Sequence, residues 1–109
     1  MANLVILESA QRELEEIAQL HKNLVGPHSA RNITDLILDT LSHVEMFPLS
    51  GHIPRDKELR NGGYRYVIAG KDICMYRLIG EEVYVYHIAH GARNYPTLFK
   101  RLLKEDCLD

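Results

Sequence analysis

From Tyr64 to His90 the chain passes through three segments dominated by β-branched and aromatic residues. Tyr64 to Ala69, Asp72 to Ile79 and Val83 to His90 are separated only by Gly70-Lys71 and Gly80-Glu81-Glu82. Gaps that short join neighbouring antiparallel strands, so a three-stranded meander is predicted. Upstream the period changes. Ala10, Leu14, Ile17, His21 and Leu24 recur every three or four residues, as do Ala30, Ile33, Ile37, Leu41 and Val44. Each set draws one apolar stripe along a helix. The spacing predicts helices over 9–23 and 28–46, with Ser9 as an N-cap, Gly26-Pro27 as the break and Phe47-Pro48 as the stop. So short a break makes the two helices an antiparallel hairpin, and the meander is the surface large enough to cover their stripes.

Three stretches lie outside these periods. Leu4-Val5-Ile6-Leu7 is four apolar residues in a row, which suits a strand buried on both faces or central in a covered sheet. Whether it pairs at an edge or between later strands is open. Residues 49–63 form a loop without periodicity, and loops that long tend to mark function or mobility. Pro96 opens a short helix over Thr97 to Leu103. The order strand, helix, helix, strand, strand, strand, helix gives an α+β fold, with the hairpin on one face of a mostly antiparallel sheet. Residues 1–109 are expected to form one domain.

Composition changes this picture little: 46% of residues are hydrophobic and 26% charged, as in ordinary globular proteins. No run approaches the apolar length of a membrane helix, and the first residues lack a secretory pattern. Cys74 and Cys107 have no neighbouring cysteine, so zinc spacing is absent and two reduced thiols in the cytoplasm are expected. Charge adds more. The net charge of −2 is unevenly spread, because residues 1–54 carry seven acidic against three basic side chains and residues 55–104 carry ten basic against five acidic. A basic sheet half suits an anion or an acidic partner, although scattered solvated charge would look the same.

Candidate chemistry is sparse. His87 and His90 are three apart, which on a strand turns them to opposite faces, so no metal site is expected. No serine or cysteine has a nucleophile's context, and Gly62-Gly63 lacks the lysine and helix of a phosphate-binding loop. No cofactor is expected. What remains is a set of basic and aromatic groups: Arg60, Arg65, Lys71, Arg77, His90, Arg93 and Tyr95. Arginine grips phosphate or carboxylate at two points, and tyrosine stacks on bases. Arg77 and His90 share a sheet face if the turn at Gly80-Glu81 has even length, whereas a longer turn with a bulge separates them. Arg77 also suits a plainer role, its charge laid over tyrosine rings.

Several of these residues fall into a known pattern. Tyr76-Arg77-Leu78 ends an apolar strand, an acidic turn follows, and a second apolar strand leads to His90-Gly91-Ala92-Arg93-Asn94. Upstream stand Phe47-Pro48-Leu49-Ser50-Gly51 and Leu59-Arg60. Together, over nearly the whole chain, these resemble the toxins of the RelE/ParE superfamily, the poison half of plasmid-stabilisation-type toxin–antitoxin modules. The resemblance implies a cognate antitoxin protein as partner, a homodimer or a toxin–antitoxin hetero-oligomer, and no membrane association.

Two mechanisms occur on this fold. RelE-like members cut messenger RNA on the ribosome, which needs a base, an acid and cations for the phosphate. Carried onto this chain, their lysines fall on Tyr64 and Tyr66, their early arginine on Ile73 and their tyrosine on Phe99. Only Arg93 matches, and Arg65 and Tyr95 are near misses. ParE-like members, which bind DNA gyrase without chemistry of their own, resemble the chain better through Gly70-Lys71, Tyr76-Arg77 and His90-Gly91-x-Arg93. A gyrase-directed toxin is therefore expected, with Arg60, Lys71, Arg77, His90, Arg93 and Tyr95 as target-binding residues. The alternatives are a ribosome-dependent nuclease using Arg65, Arg93 and Tyr95, and a degenerate binding module without toxicity.

Overall fold

A computed structural model describes residues 3–91 and 95–107, with side chains through residue 104. Its elements are β1 (Asn3–Ile6), α1 (Glu8–Leu24), α2 (Pro27–Met46), α3 (Lys57–Asn61), β2 (Tyr64–Ala69), β3 (Asp72–Ile79), β4 (Glu82–His90) and α4 (Tyr95–Cys107). The sheet has the order β1-β4-β3-β2, antiparallel except where β1 runs parallel to β4. The apolar N-terminal run is therefore an edge strand, only partly buried, rather than central or buried on both faces. Both hairpins close with two-residue turns that begin on glycine, Gly70 at φ 64° and Gly80 at φ 63°. That is the position where a II′ hairpin turn demands a residue without a Cβ.

The helix hairpin covers one face of the sheet. Ala10, Ile17, Ile37, Leu41 and Val44 meet Val67, Cys74, Tyr76, Val83, Val85 and Ile88 in the main core. The stripe on α1 runs out before its end, because Leu24 at the hairpin tip is 75% exposed. Ser9 is not the cap. The helix begins at Glu8 with Leu7 as N-cap, and the Ser9 hydroxyl donates instead to the Tyr86 carbonyl at 2.8 Å. One turn further along α1, Glu13 accepts the Ile88 N–H at 3.1 Å and holds the His87 imidazole at 3.1 Å. Side chains of α1 thus satisfy the β4 edge where β1 has ended.

The opposite face is covered too, by α3 and α4. Leu59, Met75, Ala89 and Phe99 form a second, smaller core there. The helix α3 interrupts the 49–63 stretch read as a structureless loop. One turn suffices, because the Asp56 carboxylate caps it by accepting from the Leu59 N–H at 3.1 Å and Leu59 is buried beneath it. The terminal helix starts at Tyr95, earlier than Thr97, and runs on to Cys107. Proline fits its first turn, so Tyr95 rather than Pro96 is the first helical residue.

One irregularity matters for function. The pairing of β3 with β4 slips between Met75↔His87 and Tyr76↔Val85, leaving Tyr86 as an extra residue. The turn at Gly80-Glu81 does have even length, yet this bulge reverses the alternation further along β4. Arg77 pairs with Tyr84 and His90 with Asp72, on opposite faces. Turn length alone did not decide their relation.

Candidate target-binding face

The face under α3 and α4 gathers most of the aromatic residues, with Arg77 among them. Its outer part is a row of rings. His52 stacks on Tyr66 at 5.1 Å, Tyr66 meets Tyr95 at 4.8 Å, and Tyr95 meets Phe99 at 5.9 Å. His52 is held there by a two-way backbone bridge, with His52 N–H to Tyr66 O at 2.8 Å and Tyr66 N–H to His52 O at 3.1 Å. Burial, followed by its hydrogen bond with Tyr66, pushes the Tyr95 hydroxyl up to about 12. At neutral pH Tyr95 is a protonated donor and no base.

Deeper in the same face, Arg77 lies between two tyrosines, its guanidinium carbon 4.9 Å from the Tyr64 ring centre and 5.3 Å from that of Tyr86. It donates to the Gly62 carbonyl at 3.3 Å and to the Tyr86 hydroxyl at 2.8 Å. Its Nε is buried without a hydrogen-bond partner among the described residues. The arrangement fixes Tyr64 and Tyr86 and holds the end of α3 on the sheet. Beside it, Lys100 of α4 pairs with Asp56 at 2.8 Å. The ammonium draws the Asp56 carboxyl below its ordinary range.

The loop before α3 is held from inside. The buried Tyr76 hydroxyl donates to the Pro48 carbonyl at 2.7 Å and accepts the Gly51 N–H at 3.0 Å. A Cβ on Gly51 would lie 2.4 Å from that oxygen, so no larger residue fits. Arg65 completes the hold, one nitrogen donating to the Gly51 carbonyl at 3.0 Å and to the Leu49 carbonyl at 3.3 Å. The Tyr-Arg strand ending and the Pro-x-x-Gly loop noted in the sequence are thus linked through Tyr76 and Gly51.

The sequence candidates are dispersed. Tyr95 lies in the ring row. Arg60 is exposed on α3 and lines a cleft of about 260 Å³ with Ile53 and Arg65. Arg65 faces the opposite side of β2 from Tyr66, so Arg65 and Tyr95 are not brought together. Lys71 is exposed in the β2–β3 turn, where its carbonyl accepts from the Gly91 N–H at 2.8 Å. His90 is on the hairpin face, its Nδ1 2.6 Å from Asp72 and its ring 5.5 Å from that of His21. Asp72 is fully buried. Arg93 lies outside the described residues. Among the described residues no three His, Cys, Asp or Glu side chains converge as metal ligands, and no helix is long and apolar enough to cross a membrane. Sequence reasoning missed His52. Its bridge to β2 spans the whole α3 segment and leaves no local periodicity to read.

The chain resembles known proteins in sequence and in fold. The family model described as the ParE toxin of the type II toxin–antitoxin system parDE matches residues 4–95. No curated protein matches the sequence. Among solved structures, the chromosomal ParDE toxin–antitoxin system of P. aeruginosa superposes with a TM-score of 0.71 at 18% identity, covering 84% of this chain and 98% of that one. The toxin–antitoxin complex RelBE2 of Mycobacterium tuberculosis superposes with a TM-score of 0.62 at 16% identity, covering 82% of this chain and 96% of that one. The matched span takes in β1, the hairpin, the Tyr76–Gly51 lock and the whole meander, and the chain belongs to the ParE toxin family of type II toxin–antitoxin systems.

Proposed function

We propose that this toxin is held by a small cognate antitoxin in a hetero-oligomer and acts in the cytoplasm by binding DNA gyrase, with no covalent chemistry of its own. The observation that carries this reading is where the nuclease pattern falls in the fold. Its tyrosine position is Phe99, which is fully buried. Its early arginine position is Ile73, packed against the same small core. Arg65 already donates to two loop carbonyls, and Tyr95 stays protonated at neutral pH. General acid–base cleavage needs a base and an acid within reach of one phosphate; Tyr95 is a donor and no base, and Arg65 lies on the opposite side of β2 from it. What the face offers instead is exposed cations and rings on a rigid support, which suits binding.

Arg60, Tyr95, Lys71, His90 and Arg93 are the residues we assign to target contact, with Arg77 supporting the tyrosines from below. Messenger RNA in a purified translation system is expected to stay intact at toxin concentrations that inhibit supercoiling. Codon-linked cleavage that disappears in Arg65→Ala or Arg93→Ala, with supercoiling untouched, would replace this reading with a ribosome-dependent nuclease. Absence of both effects would leave a binding module without toxicity.

A further inference from the structure

The segment that joins α2 to α3 turns large apolar side chains outward. Met46 is 56% exposed, Phe47 54%, Leu49 65% and Ile53 57%. Such a cluster is usually a mobile loop avoiding water, but here the backbone cannot yield easily. The carbonyls of Pro48, Leu49 and Gly51 and the Gly51 N–H are all taken by Tyr76 and Arg65 from the protein side. The side chains are therefore presented on a fixed support, and their exposure is not relieved by local collapse. Phe47, Pro48 and Leu49 line a shallow apolar cleft of about 560 Å³ with His43 and Met46.

The apolar strip leads directly into positive charge. Arg65 lies against the Leu49 and Gly51 carbonyls, and Ile53, Arg60 and Arg65 line one further cleft. Arg60 makes no ion pair among the described residues. A fixed apolar strip ending on an exposed arginine fits a partner segment with apolar anchors at one end and carboxylates at the other.

Resting on the toxin–antitoxin reading, we infer that the Phe47–Ile53 strip and Arg60 form the docking surface for an acidic amphipathic segment of the antitoxin. Binding there covers Arg60, one of the residues assigned to the target, so neutralisation follows from occupancy. The cost of ordering is low on the toxin side, because Tyr76 and Arg65 have already fixed the loop.

The test uses full-length toxin co-expressed with the neighbouring gene's product, and measures affinity by titration of the purified components. Leu49→Asp and Arg60→Glu are each expected to weaken the complex about tenfold or more, the Arg60→Glu effect shrinking at high salt. Val25→Asp is the control, since Val25 is 74% exposed at the distant hairpin tip, and it should change nothing. Thermal melts of the free variants separate lost binding from lost folding. A tight wild-type complex that tolerates both substitutions, each variant folded, overturns the docking surface while the toxin–antitoxin reading stands. No complex with wild type overturns both. Concentration-dependent dimers of the toxin alone, abolished by Leu49→Asp, would also overturn it and assign the strip to a second copy of this chain.

Discussion

On one side of the sheet, α1 and α2 press aliphatic side chains against Val67, Cys74, Val83 and Val85, nearly all of them out of water. On the other side, α3 and α4 cover a core of four buried residues with Ile73, Leu98 and Leu102 packed against it, and rings, hydroxyls and cations surround it. The first face is held by area and close packing, which tolerate conservative exchange. The second is held by individual polar contacts: Arg77 on Tyr86, Lys100 on Asp56, Tyr95 on Tyr66. The larger apolar core lies on one side of the four strands, and most of the aromatic surface lies on the other.

If that division is right, the largest loss of stability should come from the first face. Leu41→Ala, at a fully buried site, is expected to cost about 2–5 kcal/mol by urea denaturation. A value under about 1 kcal/mol would mean the hairpin is not the main core. Tyr76→Phe should come next. It strips a buried hydroxyl from the Pro48 carbonyl and the Gly51 N–H, at a cost of about 1–3 kcal/mol, and should loosen exchange of the Gly51 amide more than amides of α1. Arg77→Lys keeps the charge and loses the planar fork. It should cost about 1 kcal/mol and leave the near-ultraviolet signal of Tyr64 and Tyr86 weakened.

Smaller effects sharpen the contrast. The Tyr95 hydroxyl is held above its ordinary value of 10.0, at about 12. A raised folded value means its contribution is complete below about pH 10 and is lost as pH rises through about 12. Wild type should therefore lose part of its alkaline stability over that range, and Tyr95→Phe should lose less. Burial, with the Asp72 carboxylate adding to it, pushes the Cys74 thiol up to about 12 as well. Alkylation of Cys74 should track global unfolding, whatever happens on the second face.

The first face was legible from the sequence because its signal is periodic. Ile37, Leu41 and Val44 announce their helix face by spacing alone, and the meander is bounded by its glycine turns. The second face was not legible in the same way. Its short helix rests on a single capped turn at Asp56, and the Phe99 side chain is apolar with no partner in view until α4 folds back. The Tyr86 bulge is a register choice made between strands, so the separation of Arg77 from His90 could not be read from turn length. Leu24 shows the opposite error, an apolar residue in register with its stripe that extends past the sheet it was meant to meet. For the candidate site, residue types were legible and their company was not.

The most direct test of the account is a titration of purified toxin into a gyrase supercoiling reaction at fixed enzyme. A binding toxin should inhibit in proportion to its ratio to gyrase, reach a plateau near saturation, and be reversed by adding antitoxin. Supercoiling that continues unchanged at a large excess of folded toxin would contradict it.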